Sequence, residues 1–276
     1  MNLKELEKLK YTAKEIRINI VKMITAAGSG HPAGSLGTAD IFAALYFGLL
    51  KHNSKKPNWD QRDYFILSAG HICPALYAAL AQTGYFPKKE LFNLRKLGSP
   101  LQGHPHRNLK LGIESTSGSL GQGLSIAAGI ACGLKADKKK NKVFCLTSDG
   151  EHDEGQTWEA IMFAAKYKLN NLINIIDRNF IQIDGPTTEI MPLGKLKKRY
   201  QSFGWRVFQI DGHDFEQIIT TYKRACKIKK KPSVIIARTI PGKGVSFMEE
   251  KWEWHGKAPS KEEEEKAIKE LFLPSS

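Results

Sequence analysis

Two acidic stretches, each following an apolar run, hold the side chains with the most chemical promise. After Val143–Thr147 comes Ser148-Asp-Gly-Glu-His-Asp-Glu-Gly155, and after Leu172–Ile176 comes Asp177-Arg-Asn-Phe-Ile-Gln-Ile-Asp-Gly185. Asp149 offers an anionic oxygen, Asn179 an amide oxygen, and a backbone carbonyl of the same loop a third. Such hard oxygens suit magnesium together with phosphate. Gly150 lets a main-chain N–H approach a phosphate without side-chain interference. The acids could equally do no more than cap the helix around Trp158 through its dipole. A calcium loop fails the count. From Asp149, position 6 is Glu154 and position 12 is Ala160, where an EF-hand needs Gly and Glu.

The run Gly118-Ser-Leu-Gly121-Gln-Gly123 has the wrong order and context for a dinucleotide fingerprint. It reads instead as a helix start with close backbone approach. Histidines His31, His71, His104 and His255 each sit beside Gly or Pro, in turns, where they can be positioned around an anionic, hydroxylated ligand. Zinc is a weaker option, since His104-Pro-His106 has no nearby cysteine or third ligand. His52, His106, His152 and His213 carry no such pattern.

These residues need elements to position them. Candidate strands are Tyr64–Leu67, Val143–Thr147, Leu172–Ile176, Arg206–Ile210 and Val234–Ala237. Candidate helices cover the first 25 residues, then Asp40–Leu49, Ile72–Gln82, Leu120–Ala136, Trp158–Lys168, Phe215–Lys229 and a last one opening at Lys261. This alternation predicts α/β architecture with a doubly wound parallel sheet flanked by helices. In such a sheet ligands bind where loops leave the carboxyl ends of the strands. The expected organisation is a single domain over 1–276, with an N-terminal helical extension and a charged tail from about Glu249.

Of the 276 residues 41% are apolar, too many for a disordered chain. No stretch reaches the roughly 18 apolar residues of a membrane span, and the N-terminus lacks a signal-peptide core. The four scattered cysteines fit a cytoplasmic protein. Forty-two Lys and Arg against 28 Asp and Glu leave a net charge of +14. The basic clusters do not alternate with aromatics as a nucleic-acid platform would. We therefore expect a solvated lysine-rich surface, with neither nucleic acid nor membrane as partner.

Asp149-Gly-Glu-His-Asp-Glu-Gly-Gln-Thr-Trp-Glu159 and Asn171-Leu-Ile-Asn-Ile-Ile-Asp-Arg-Asn179 resemble the thiamine diphosphate motif of transketolases, which closes with Asn about thirty residues after its Asp. Four more blocks resemble that family in its order: His31-Pro-Ala-Gly-Ser-Leu-Gly37, Leu67-Ser-Ala-Gly-His71, Gly118 to Gly123, and Trp254-His-Gly-Lys-Ala-Pro259. The resemblance covers nearly the whole chain but only the diphosphate-binding half of a transketolase. It implies the N-terminal subunit of a split enzyme that moves a two-carbon ketol unit between sugar phosphates in the pentose phosphate pathway.

Carried over position by position, Asp149, Asn179 and the Ile181 carbonyl would hold Mg2+, or Ca2+ or Mn2+. Gly150, Asn179 and His71 would touch the diphosphate, and Gly118, Ser119 and Leu120 the aminopyrimidine. Glu154 would join a proton network between subunits at the cofactor. His31, His104 and His255 would line the substrate channel as acid–base groups, with His255 also near the cofactor. Ser148 replaces the usual first glycine, and Ser119 stands where many members have proline. The glutamate that activates the aminopyrimidine belongs to the family's second domain. A separate C-terminal subunit, an α2β2 assembly and near-inactivity of the chain alone are the corresponding expectations. Asp149→Ala is expected to abolish metal-dependent cofactor binding with the fold intact. Competing readings are another thiamine diphosphate enzyme (1-deoxyxylulose-5-phosphate synthase-like, dihydroxyacetone synthase-like or 2-oxo acid dehydrogenase-like), a non-catalytic cofactor-binding protein, and a nucleic-acid binder.

Overall fold

Five parallel strands, β1 (Tyr64–Leu67), β2 (Val143–Ser148), β3 (Leu172–Arg178), β6 (Arg206–Asp211) and β7 (Ser233–Arg238), pair in the order β1-β2-β3-β7-β6. The computed structural model describes residues 2–273. Between β3 and β6 lies a small hairpin of β4 (Ile181–Gln182) and β5 (Gly185–Pro186). The strands are nearly all apolar because both faces of a parallel sheet are covered. Phe144, Leu146, Ile173, Ile175 and Ile235 point to one layer, and Val143, Cys145, Leu172, Ile176 and Val234 to the other.

The first layer holds α1 (Leu3–Ala27), α3 (Ala39–Ala44), α4 (Cys73–Gln82), α9 (Phe215–Cys226) and α10 (Lys261–Phe272); the short α2 (Pro32–Gly37) joins α1 to α3. The second holds α5 (Gln122–Ala136), α6 (Gly155–Lys166) and α8 (Leu196–Ser202), which follows the single-turn α7 (Thr187–Ile190). The chain crosses β1, β2 and β3 in order, jumps to the edge at β6, and returns through α9 to β7. Loops leaving β3 and β7 therefore part toward opposite faces. That parting opens a crevice at the carboxyl ends of the strands.

Several boundaries differ from expectation. The N-terminal helix is part of the core rather than an extension: Ile16, Ile20, Val21 and Ile24 are fully buried, each contributing about 1.5–3 kcal/mol. Its ends are set by an Asn2/Glu5 capping box and by Gly28 at φ +64°. The region from Glu249 is no tail either, since Trp254, Ala267 and Leu271 are buried. The helix expected over Asp40–Leu49 closes in a π-type turn over Leu45–Leu49. Gly121, at φ +81°, delays α5 by two residues, and α6 starts three residues before Trp158. Helix α8 forms where the sequence shows only a basic cluster, because Leu196 and Tyr200, one turn apart, anchor it to the sheet. All four cysteines are free. Among the described residues no helix is long and apolar enough to cross a membrane.

Candidate active site

Asp149 leaves the end of β2 fully buried, where its carboxylate needs partners. Oδ1 accepts the Gly150 N–H at 2.9 Å; Oδ2 accepts the Phe180 N–H at 2.8 Å and the Arg178 guanidinium at 3.0 Å. Burial pushes this carboxyl up to about 6 although Arg178 and the N–H groups oppose the shift. Asp149 thus ties its own turn to the loop after β3. Removing it would leave the half-buried Arg178 without its carboxylate, so Asp149→Ala carries a stability cost that the sequence alone does not suggest.

Asp177, one strand away, is pushed up to about 7, chiefly by burial and further by Asp149, against the Thr239 hydroxyl bonded to it. Its other oxygen accepts the Asn179 amide nitrogen at 2.8 Å, so the Asn179 oxygen faces the opposite way, accepting the Ile181 N–H at 3.0 Å. Asp177 therefore decides how Asn179 presents its oxygen. Among the described residues no three His, Cys, Asp or Glu side chains gather as a metal cage. A cation here would draw on one carboxylate, one amide oxygen, a main-chain carbonyl and oxygens of a bound ligand. That donor set fits magnesium held with a diphosphate.

Glu151, fully buried on the turn after Asp149, accepts the Ser68 hydroxyl, the Gly121 N–H at 2.7 Å and the Ser148 N–H at 3.2 Å. It ties the loop after β1 and the turn before α5 to the end of β2. Standing among the acids between Asp149 and Glu154, it gives no sequence signal of this role, because Ser68 and Gly121 are distant in the chain. The same holds for Arg178 and Asp177. A Cβ at Gly121 would lie 2.7 Å from the Glu154 Cβ, so the 118–121 turn and the start of α6 need glycine there. Ser119 and Glu154 are exposed and Leu120 is half-buried.

His31, His71, His104 and His255 converge from four separate segments. Ring centroids lie 5.4 Å apart for His31–His71, 6.1 Å for His31–His104, 5.6 Å for His31–His255 and 5.2 Å for His71–His255. Burial lowers all four pKa values; that of His31 falls to about 4, helped by His255, Arg95 and His104. Neutral imidazoles each keep one donor and one acceptor. The buried His31 Nδ1 and Ser117 Oγ have no protein partner. His104 packs against Gly118, where a Cβ would come within 3.3 Å of it. A Cβ at Gly34 would stand 4.0 Å from both His71 Nε2 and Asp177 Oδ2, so the ring and the oxygen pocket adjoin. Arg95, whose guanidinium occupies the space over Gly103, carries no sequence signal of its place here.

The histidines without a sequence pattern lie elsewhere or have other partners. His52 bonds the Tyr46 carbonyl at 2.7 Å, and His213 bonds Asp40 at 2.7 Å.

Comparison with known proteins places this geometry. The family model described as "Transketolase, thiamine diphosphate binding domain" matches residues 9–273. The 6-deoxy-6-sulfo-D-fructose transketolase subunit SqwG of Clostridium sp. (strain MSTE9) is 43% identical over 95% of this chain and 96% of that one. One of the subunits of the apulose-4-phosphate transketolase of Phocaeicola vulgatus is 39% identical over 97% of this chain and 95% of its own. Human transketolase is 40% identical over 97% of this chain but only 42% of its own. The crystal structure of Campylobacter jejuni transketolase superposes with a TM-score of 0.87 at 34% identity, covering 98% of this chain and 43% of that one. The chain thus spans about two-fifths of the single-chain transketolases and nearly all of two relatives named as subunits. It belongs to the transketolase family, as the thiamine diphosphate-binding part of that ketol-transferring enzyme.

Proposed function

We propose that this chain works as a single α/β domain, the N-terminal subunit of a split transketolase, with a separate C-terminal subunit completing the active site. The observation that carries the reading is the junction of four neutral histidines with the hard-oxygen pocket at the ends of β2 and β3. Asp149, Asn179 and the Ile181 carbonyl would hold Mg2+, while Gly150 and His71 would contact the diphosphate. Gly118, Ser119 and Leu120 would lie against the aminopyrimidine. Thiamine diphosphate, when bound, supplies the electron sink on which the two-carbon unit is carried. His31, His104 and His255, uncharged near neutrality, would donate to and accept from the sugar hydroxyls and take up or release their protons. Glu154, exposed at the start of α6, would face another subunit.

Outward on α5 and α6 stand Ile126, Met162 and Phe163, with Tyr167 just past the end of α6, an apolar set that suits an α2β2 assembly. The free cysteines fit a cytoplasmic setting. The two full-length relatives are named for a sulfonated ketose and a ketose phosphate. The substrate class is therefore a ketose with an anionic terminus, of which the pentose phosphate pathway is one source. The test is to mix the chain with its partner subunit, thiamine diphosphate and Mg2+. Xylulose 5-phosphate with ribose 5-phosphate, then 6-deoxy-6-sulfofructose and apulose 4-phosphate as donors, are supplied in turn. Ketol transfer from at least one donor is expected, with little from the chain alone. Pyruvate turnover without any ketol transfer would overturn the reading.

A further inference from the structure

We propose that His152 is a positioning residue, the end of a buried relay that sets the orientation of Asp149. The inference rests on the reading of Asp149 as a cation ligand. It begins with a polar residue where an apolar one would be expected: Asn174, fully buried in the middle of β3 and facing α8. Its amide nitrogen donates to the Thr147 hydroxyl at 3.2 Å and to the Tyr200 hydroxyl at 3.1 Å. The Tyr200 oxygen lies 2.9 Å from His152 Nε2, and His152 Nδ1 lies 2.9 Å from the Ser148 carbonyl. A carbonyl can only accept, so Nδ1 carries the proton and Nε2 accepts from Tyr200. The donation therefore runs one way, from Asn174 through Tyr200 and His152 to the Ser148 carbonyl.

That carbonyl belongs to the peptide joining Ser148 to Asp149. The N–H of the same peptide donates to the Asp177 carbonyl at 3.1 Å. The plane is thus held from both edges, by His152 on one side and β3 on the other. Loosening either hold frees the turn that carries Asp149, and with it the carboxylate's bonds to Phe180 and Arg178. Burying Asn174, Tyr200 and His152 costs desolvation that an apolar set of equal volume would not incur. The relay ends on the main chain beside the proposed ligand, not on another core side chain. His152 itself is clamped: its own carbonyl accepts the Trp158 indole N–H at 2.9 Å.

The experiment compares His152→Leu, His152→Asn and Tyr200→Phe with wild type, as the full chain together with its partner subunit. Three readouts are taken: amide hydrogen exchange over residues 148–154 and over β3, global melting, and Mg2+-dependent thiamine diphosphate affinity from tryptophan fluorescence. His152→Leu and Tyr200→Phe should weaken that affinity about 10- to 100-fold, the range for residues that orient a metal ligand. Exchange at Asp149 and Gly150 should quicken while β3 stays as in wild type. His152→Asn, whose amide can donate to the Ser148 carbonyl, should recover most of the affinity. Adding Tyr200→Phe to His152→Leu should cost little more, because the relay is already cut. Unchanged loop exchange and affinity, or affinity that merely follows the melting temperature across variants, would overturn the relay. If wild type shows no Mg2+-dependent binding, the site reading falls instead, and with it the claim that the relay serves a cation. Should His152→Leu not fold, the other two variants carry the comparison.

Discussion

His31 has three nearby groups that take or carry positive charge, His255, Arg95 and His104, and they add to burial, the largest cause, in keeping its imidazole neutral. Folding lowers its pKa from 6.5 to about 4. The stability tied to this neutral form is intact above pH 6.5 and drains away as pH falls toward 4. We expect its NMR titration midpoint near 4, and expect His31→Gln to remove that share of the acid sensitivity; a midpoint at the ordinary imidazole value would contradict the geometry. At Asp149 the two obvious substitutions should part. Asp149→Ala leaves the half-buried Arg178 without its carboxylate and the Gly150 and Phe180 N–H groups without their acceptor, which costs about 1–3 kcal/mol, whereas Asp149→Asn keeps an acceptor for the loop N–H groups and should cost clearly less in urea melts. Both should lose Mg2+-dependent cofactor binding. Asp149 and Asn179 were legible in the sequence because a loop motif keeps them thirty positions apart. Glu151, Asp177 and Arg95 were not, since their partners Ser68, Thr239 and Gly103 are set beside them only by the fold.

Elements were legible where a strong period or an apolar run ran long, as in α1, β2 and β3, and less so where one or two contacts decide. Helix α8 rests on Leu196 and Tyr200 amid lysines and arginines, too little apolar content to register as a helical period. The start of α5 depends on the close approach of two backbones. A Cβ at Gly123 would fall 2.4 Å from the Ser68 Cβ, so Gly123→Ala must push α5 from the loop after β1. A loss of about 3 kcal/mol, the upper range of overpacking, is expected by chemical denaturation. Further along the same helix, Gly129 has open space. Gly129→Ala should therefore stabilise the chain by about 0.5–1 kcal/mol. Similar effects at the two positions would mean that α5 is not held against β1 as described.

Across the whole molecule the charge is unevenly placed. Lys135, Lys138, Lys139, Lys140 and Lys142 line one shallow depression with Asn170 and Asn171, at the amino end of β2, while Asp149 follows its carboxyl end. The length of β2 spans about 20 Å, more than two screening lengths of about 8 Å at physiological salt. Lys138→Glu with Lys140→Glu should then leave kcat/KM for a sugar phosphate within about twofold; a steep fall would give this cluster a steering role. The apolar outer side of α6 should act on assembly instead. Phe163→Glu, at a side chain already 39% exposed, should shift sedimentation toward smaller species with little change in melting temperature. The histidine ring carries a consequence of another kind. Its members are residues 31, 71, 104 and 255, so no local segment contains two of them. Contacts of such long sequence separation form late and slow the folding of the chain that needs them. The histidine ring is then among the last parts of this molecule to take shape, and an incompletely folded chain will have no partial version of it.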